Sequence, residues 1–256
     1  MKTFYAALAN SLGAFLANTF VWFAVTFWVY LETRSVIATA VMAGVYTGTV
    51  AVTGFFLGSL VDRYPKRAVM LLSSSASLIL FALAGGLYAL APASAFTDVS
   101  SPLLWGFIVL ALLGALVGNL RAIALSTLVT VLVPAGERGR ANGLVGTANG
   151  VGFLAASVFS GLAVGLLGMG WVLGLAVAVT LLVIGHLWSL PIPPGAVPAA
   201  GEQGDMIDLP GTLAAIRLVP GLLGLILFHT FNNFLGGIYM ALMDAYGLLL
   251  VSAGWW

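Results

Sequence analysis

Seven long apolar stretches dominate the pattern of hydrophobic and polar positions along the chain. They lie near residues 4–30, 36–61, 68–91, 103–132, 140–167, 170–190 and 218–245, and short polar or turn-forming runs separate them. A helix needs about 20 apolar residues to cross the hydrocarbon of a bilayer. Each stretch is long enough, so the pattern predicts an all-α membrane protein with seven transmembrane helices.

Composition agrees with this prediction. Of the 256 residues, 61% are hydrophobic and only 7% are charged, which leaves too little polar surface to cover a soluble globule. The first stretch is too long for a removed signal peptide and lacks a small-residue cleavage site, so it is predicted to span the membrane. The chain has no cysteine, which excludes disulfides, thiolate metal sites and a cysteine nucleophile.

The cations indicate the orientation of the chain. If the N-terminus is cytoplasmic, only Arg34 lies in an outer loop. The cations then on the cytoplasmic side are Lys2, Arg63, Lys66, Arg67, Arg138, Arg140 and Arg217. Because cytoplasmic loops carry an excess of Lys and Arg, we expect a multi-pass protein of the cell membrane with its N-terminus inside. A seven-helix receptor would need the opposite orientation.

The loop between the second and third stretches carries a distinctive charge motif. Within Gly58–Met70, an aspartate and an arginine follow the glycine, and two further cations come after a turn. This resembles the Gly-x-Leu-Ala-Asp-Arg-x-Gly-Arg/Lys-Arg/Lys motif of the major facilitator superfamily, with Pro65 in place of its second glycine. The resemblance assigns a conformational role to Gly58, Asp62, Arg63, Lys66 and Arg67. It also implies that Asp62 sits against the N-terminus of an eleventh helix, where the helix dipole favours an anion.

A second loop extends the resemblance over the first six helices. Residues 133–143 read Val-Pro-Ala-Gly-Glu-Arg-Gly-Arg-Ala-Asn-Gly, which is similar to the corresponding cytoplasmic loop of bacterial efflux members of the superfamily. From residue 191 the composition changes to a Pro-, Gly- and Ala-rich segment. We therefore expect a six-helix bundle over 1–190, a cytoplasmic linker over 191–217 containing a short interfacial helix near 209–219, and the first helix of a truncated second bundle over 218–256. The second half of the transporter is expected to be missing.

Polar residues inside the predicted spans are the candidates for the substrate cavity. They are Asn10, Asn18, Arg121, Asn149, His229, Asn232 and Asn233. Arg121 is well inside its span, where a cation costs about 2.5–3.5 kcal/mol on insertion scales, so its charge must be compensated. It either faces an aqueous cavity or bonds to backbone carbonyls inside the protein. The amides and His229 either line the cavity or pack between helices.

The resemblance implies a secondary transporter that alternates access by rocking its two halves. The scarcity of charge within the spans favours a neutral or hydrophobic substrate over a polyanion. Export of small compounds of this kind is the expected function, and the coupling ion is expected to be a proton. Uptake of a neutral nutrient is the alternative, as is a non-transporting scaffold made from a half-transporter. The chain lacks a set of catalytic side chains that could meet at one site, as a membrane enzyme needs. We therefore expect no catalytic activity, no cofactor and no metal. The expected partners are a small-molecule substrate and the bilayer, but not nucleic acid.

Overall fold

Helices make up nearly all of the described part of the chain. The computed structural model describes residues 1–192 and 209–250. Its α-helices are α1 (Lys2–Thr33), α2 (Val36–Arg63), α3 (Lys66–Leu90), α4 (Pro102–Val117), α5 (Asn119–Leu132), α6 (Arg138–Leu167), α7 (Met169–Ser189), α8 (Leu209–Leu218) and α9 (Leu222–Leu250). Short 3₁₀ turns at Ala93–Phe96 and Ala135–Glu137 precede α4 and α6. No strand occurs in these ranges, so the predicted all-α fold is confirmed.

The described residues contain seven segments that are long and apolar enough to cross a membrane. They are Lys2–Thr33, Val36–Gly54, Lys66–Leu90, Pro102–Leu132, Ala135–Leu167, Met169–Ser189 and Leu222–Tyr239. Each overlaps one predicted stretch, which confirms the seven predicted spans. α8 lies where the short interfacial helix was expected, and residues 193–208 of the expected linker lie outside the described residues.

The fourth span differs from the continuous helix that was expected. α4 ends at Val117 and α5 begins at Asn119. Between them, the Gly118 N–H donates to the carbonyl of Ala115 at 3.1 Å, and the Arg121 N–H donates to the carbonyl of Gly118 at 3.0 Å. Both bonds have the three-residue spacing of a 3₁₀ turn, which is tighter than an α-helix. The span therefore crosses as two helices joined at a glycine.

The interior of the bundle forms around α1 and α3. α1 packs against α4, α6 and α7, and α3 packs against α4, α5 and α7. At the end opposite the N-terminus, Trp28 stacks edge-on against Phe96 and Phe107, with ring centroids 5.4 and 4.8 Å apart. Such contacts contribute about 0.5–1.5 kcal/mol beyond the area that they bury. This aromatic cluster ties α1 to α4 and to the loop before α4.

The outer surface of α7 fits a lipid environment. Trp171 and Trp188 lie near its two ends and are 65% and 67% exposed. At 1.5 Å per residue they are about 25 Å apart along the helix. Tryptophan is enriched at both membrane interfaces, so the two side chains match the boundaries of the hydrocarbon layer.

The loop before α4 is held by Asp98. Its carboxylate accepts hydrogen bonds from the Ser100 hydroxyl at 2.7 Å and from the Ser100 N–H at 2.8 Å. The hydroxyl bond first, and then the backbone bond, lower the pKa of Asp98 below its ordinary value. The turn is therefore held at neutral pH and loses these bonds when acid protonates the carboxylate.

α9 lies against the outside of the bundle formed by α1–α7. It contacts α2 and α1, while α8 packs on α9. Every residue from Leu223 to Tyr239 is exposed, in contrast to the buried faces of α1 and α3. The helix continues through Gly236 and Gly237 without interruption. Most of the surface of α9 is thus available for contacts outside the described bundle.

Candidate functional site

The predicted conformational motif forms a two-residue turn between two helices. α2 continues to Arg63, Tyr64 and Pro65 form the turn, and α3 begins at Lys66. Asp62 therefore lies in the last turn of α2, where its side chain is exposed. A helix C-terminus carries a partial negative charge, so this position is electrostatically unfavourable for a carboxylate within the bundle itself.

Two cations of the motif bond to the carbonyl ends of helices. The Lys66 side chain is buried, and its Nζ donates to the carbonyl of Val61 near the end of α2. Nη2 of Arg67 donates to the carbonyl of Trp188 near the end of α7, at 2.8 Å. Both residues begin α3, where a cation is unfavourable, but their charges are directed at the negative ends of α2 and α7. Arg67 thereby connects the start of α3 to the end of α7.

Gly58 lies one helical turn before Asp62 on α2. Apart from Gly58 itself, its two chain neighbours and the nearby backbone of α2, no described atom lies within 4 Å of the position that a Cβ would take at Gly58. The described part of the chain therefore does not use the close approach that this glycine permits. The conformational roles of Gly58, Asp62, Arg63, Lys66 and Arg67 stay predictions.

Arg138 repeats the same arrangement at the end of α5. Its Nη2 donates to the carbonyl of Thr130 at 2.8 Å, and its Nε donates to the carbonyl of Val133 at 3.2 Å. We use the term basic end for the end of the bundle that carries Lys2, Lys66, Arg67, Arg138 and Arg140. α2, α5 and α7 finish at this end, and a cation bonds to carbonyls near the end of each.

Arg121 is buried inside the bundle and is 3% exposed. Nη1 donates to Ser74 Oγ at 2.6 Å and to the carbonyl of Met70 at 3.2 Å, both on α3. Nη2 donates to Asn10 Oδ1 on α1. Nε is buried without a hydrogen-bond partner, and no acidic side chain of the described residues pairs with the guanidinium. The charge is thus compensated by neutral acceptors alone.

Asn10 connects this arginine to α7. While Oδ1 accepts from Arg121, Nδ2 donates to the carbonyl of Val183 at 2.8 Å and approaches Nδ1 of His186 at 3.1 Å. Asn10 is 2% exposed, whereas His186 is exposed on α7. A continuous series of side chains therefore joins the surface of α7 to the buried cation of α5. The sequence analysis identified Asn10 and Arg121 but missed the participation of His186.

Asn18 packs where the fourth span is interrupted. A Cβ added at Gly118 would lie 2.0 Å from Asn18 Nδ2 and 2.7 Å from its Cγ. Gly118 has a right-handed backbone, with φ −57° and ψ −24°, so the glycine is required by the close approach and not by its dihedral angles. Next to it, the Nδ2 atom of Asn119 is buried without a hydrogen-bond partner.

The remaining candidates do not join the Arg121 network. Asn149 is partly buried on α6, and His229, Asn232 and Asn233 are exposed on α9. Asn233 Nδ2 donates to the carbonyl of His229 at 2.9 Å, one turn earlier on its own helix. No hydrogen bond links these four residues to Arg121 or Asn10 within residues 1–192 and 209–250. Their contact with a substrate stays a prediction.

An apolar cavity of about 480 Å³, open to the surface of the described bundle, lies between α2 and α4. Its walls are the segments 41–49 of α2 and 105–116 of α4, with Tyr46, Thr49 and Trp105 as the side chains that carry a polar atom. The ring of Tyr46 lies 6.0 Å from that of Trp22 on α1, measured between centroids. The size is within the range of small-molecule sites.

Comparison with known proteins identifies the family. A family model described as the Major Facilitator Superfamily matches residues 7–256. No curated protein matches the chain. The family match includes most of the first span, all of the other six, and both loops that carry the motif resemblance. The chain therefore belongs to the Major Facilitator Superfamily, and is a multi-pass membrane protein of the transporter type.

Proposed function

We propose that this protein serves secondary active export of small neutral or hydrophobic compounds, by alternating access and at the expense of an ion gradient. The observation that supports this most directly is the cavity between α2 and α4, whose lining is almost wholly apolar. A cavity of this kind favours burial of an apolar solute and offers few groups to a highly polar one.

The placement of charge supports the same substrate class. Within α1–α7, the acidic residues Glu32 and Asp62 lie at helix ends, and Asp98 and Glu137 lie in loops or turns. The one cation well inside a span, Arg121, already has three acceptors from α1 and α3. A polyanionic substrate would therefore find no available cation inside the described bundle.

We propose a proton as the coupling ion. Uptake of a neutral nutrient is the alternative function within the same family. Export and uptake are distinguished by direction. Cells that express the complete gene should accumulate less of a fluorescent hydrophobic compound and should survive higher concentrations of toxic hydrophobic compounds. Raised accumulation would indicate uptake. If neither accumulation of the fluorescent compound nor growth on the toxic compounds changes, both export and uptake are contradicted and a non-transporting scaffold is favoured.

Asp62→Asn is expected to lower the transport rate of the complete protein without lowering the amount inserted in the membrane. The α2 C-terminus is unfavourable for this carboxylate, so we propose that its stabilising partner is a helix N-terminus of the other half in one transport state. Losing a contact of about 0.3–2 kcal/mol corresponds to a decrease in the transport rate of about 2- to 30-fold.

The matched control is Glu137→Gln, which neutralises an exposed carboxylate in the turn between α5 and α6 at the same end of the bundle. Transport rates are compared at equal membrane levels of the three proteins. An Asp62→Asn protein that transports as fast as the Glu137→Gln protein would show that this carboxylate has no conformational role.

Cysteine labelling tests which polar residues face the proposed substrate pathway, since residues 1–256 contain no cysteine that would react in the background. In the complete transporter, cysteines at Asn149 and Asn232 should react with a water-soluble thiol reagent. Val158 is a matched control on the opposite face of α6 from Asn149, where it is 59% exposed among apolar neighbours, and its cysteine should stay unreactive. For Arg121 the observed burial predicts slow reaction. If the Asn149 and Asn232 positions react no faster than Val158, those amides are packing residues.

A further inference from the structure

The bonds around Asn10 determine the protonation state of His186. A guanidinium has donors and no acceptor, so the Asn10 atom that faces Arg121 must be the amide oxygen. The amide nitrogen must then face α7, where it donates one hydrogen to the carbonyl of Val183 and the other to the His186 ring. This removes the usual ambiguity about which way an asparagine amide points.

It follows that His186 Nδ1 is an acceptor. A ring nitrogen accepts a hydrogen bond only when it carries no proton, so His186 in this arrangement is neutral with its proton on Nε2. Protonation would place an N–H on Nδ1 directly opposite the N–H of Asn10. Asn10 cannot relieve this conflict by turning its amide over, because its nitrogen would then face the donors of Arg121.

We propose that His186 is a proton-binding site whose occupancy is transmitted to Arg121 through Asn10. When His186 takes up a proton from water, either the histidine leaves Asn10 or Asn10 leaves Arg121. In both cases the connection between the surface of α7 and the interior of α5 is broken. The site does not depend on the export proposal, because it is defined and tested on the chain itself.

The His186 ring is exposed, so a proton can reach it from water, and the charged groups on the neighbouring helices set the electrostatic potential at the ring. The ring lies three residues before the end of α7 at the basic end. The titratable groups on the helices packed against α7 are Lys2, Tyr5, Tyr30 and Glu32 on α1, Lys66, Arg67 and Tyr88 on α3, and Arg138 and Arg140 on α6. Of these, Arg67 bonds the carbonyl of Trp188, two residues beyond the histidine. Asn10 is the described side chain that hydrogen-bonds the ring.

The test uses nuclear magnetic resonance of the 256-residue chain in lipid nanodiscs. The chain has two histidines, so His229→Gln leaves His186 as the sole one. At pH 8 the ¹⁵N shifts of the imidazole should show the tautomer with its proton on Nε2. On acidification to pH 5 the ring should become an imidazolium, and the side-chain amide signals of Asn10 should shift over the same pH range.

Two controls accompany this measurement. The side-chain amide of Asn18, which lies against Gly118 and not against His186, should not follow the histidine. In a His186→Gln protein, which keeps an acceptor but cannot be protonated, the Asn10 signals should not depend on pH. A proton on Nδ1 at pH 8, a ring that stays neutral at pH 5, or Asn10 signals that ignore the protonation of His186 would each overturn the proposal. The tautomer measurement needs no variant of the network, so it holds even if His186→Gln folds poorly.

Discussion

Asn10→Leu is expected to destabilise the folded chain by about 3 kcal/mol, since hydrogen bonds to charged groups contribute about 1.5–3 kcal/mol and an unpaired buried charge adds to the loss. The leucine removes the acceptor of Arg121 Nη2 and both donors that reach α7. Arg121 Nε is already without a partner, so the guanidinium would keep bonds only to Ser74 and Met70.

The double variant Asn10→Leu/Arg121→Met should be more stable than Asn10→Leu alone. Breaking a buried polar pair on one side leaves an uncompensated charge, whereas apolar replacement of both sides is often neutral. The measurement is unfolding by a denaturing detergent in mixed micelles, arranged as a double-mutant cycle. If the losses of the two single variants simply add, the two residues act independently and the observed bond contributes little.

The matched control for this cycle is Asn142→Leu, an asparagine that is exposed on α6. Substitutions of exposed side chains away from structural features usually change the free energy of unfolding by less than about 0.5 kcal/mol. A loss at Asn142 as large as that at Asn10 would mean that any asparagine-to-leucine change is harmful in these micelles.

The spans and the motif loop could be predicted because their signals are local. A run of about 20 apolar residues must cross as a helix, since the hydrocarbon offers no other partner for the backbone groups. Likewise, a short charged segment that contains Asp62, Lys66 and Arg67 has to lie outside the hydrocarbon. For this reason the predicted spans and the family resemblance were both confirmed.

The partners of Arg121 could not be predicted, because they come from different helices. The sequence required that this buried cation be compensated, but it did not reveal whether water or protein would do so. The depth of each polar residue below the basic end, counted along its helix, was a signal in the sequence that could have indicated these partners but was not used. Asn10 and Ser74 lie about 12 Å along α1 and α3 from the basic end, and Arg121 lies about 16 Å along α5, by their positions in those helices. Polar residues at similar depth are candidates for mutual contact.

The interruption at Gly118 was hidden for a different reason. One glycine among 32 carries little information, and α4 and α5 together read as a single apolar span. What makes this glycine special is Asn18, a residue 100 positions earlier in the chain. The two were separate features in the sequence, and only the packing of α1 against the fourth span joins them.

Gly118→Ala is expected to destabilise the chain by about 1–3 kcal/mol, the usual cost of adding a methyl group to a well-packed interior. The new Cβ would lie 2.0 Å from Asn18 Nδ2 and 2.9 Å from the carbonyl oxygen of Ala115. The first contact can be relieved only by moving Asn18 or the turn. Because Arg121 follows three residues later, movement of the turn would also displace its guanidinium from Ser74 and Asn10.

Two further variants make this prediction specific. Gly106→Ala lies on α4, where the nearest atom to a new Cβ is Leu87 Cδ2 at 3.7 Å, an ordinary contact, so this alanine should be neutral or slightly stabilising. Asn18→Ala combined with Gly118→Ala should recover part of the loss, since it removes the amide but leaves the contact with the Ala115 carbonyl. Unfolding is followed in the same mixed micelles. If Gly118→Ala is as stable as Gly106→Ala, Asn18 is free to move aside and the close approach does not hold the two helices of the fourth span in place.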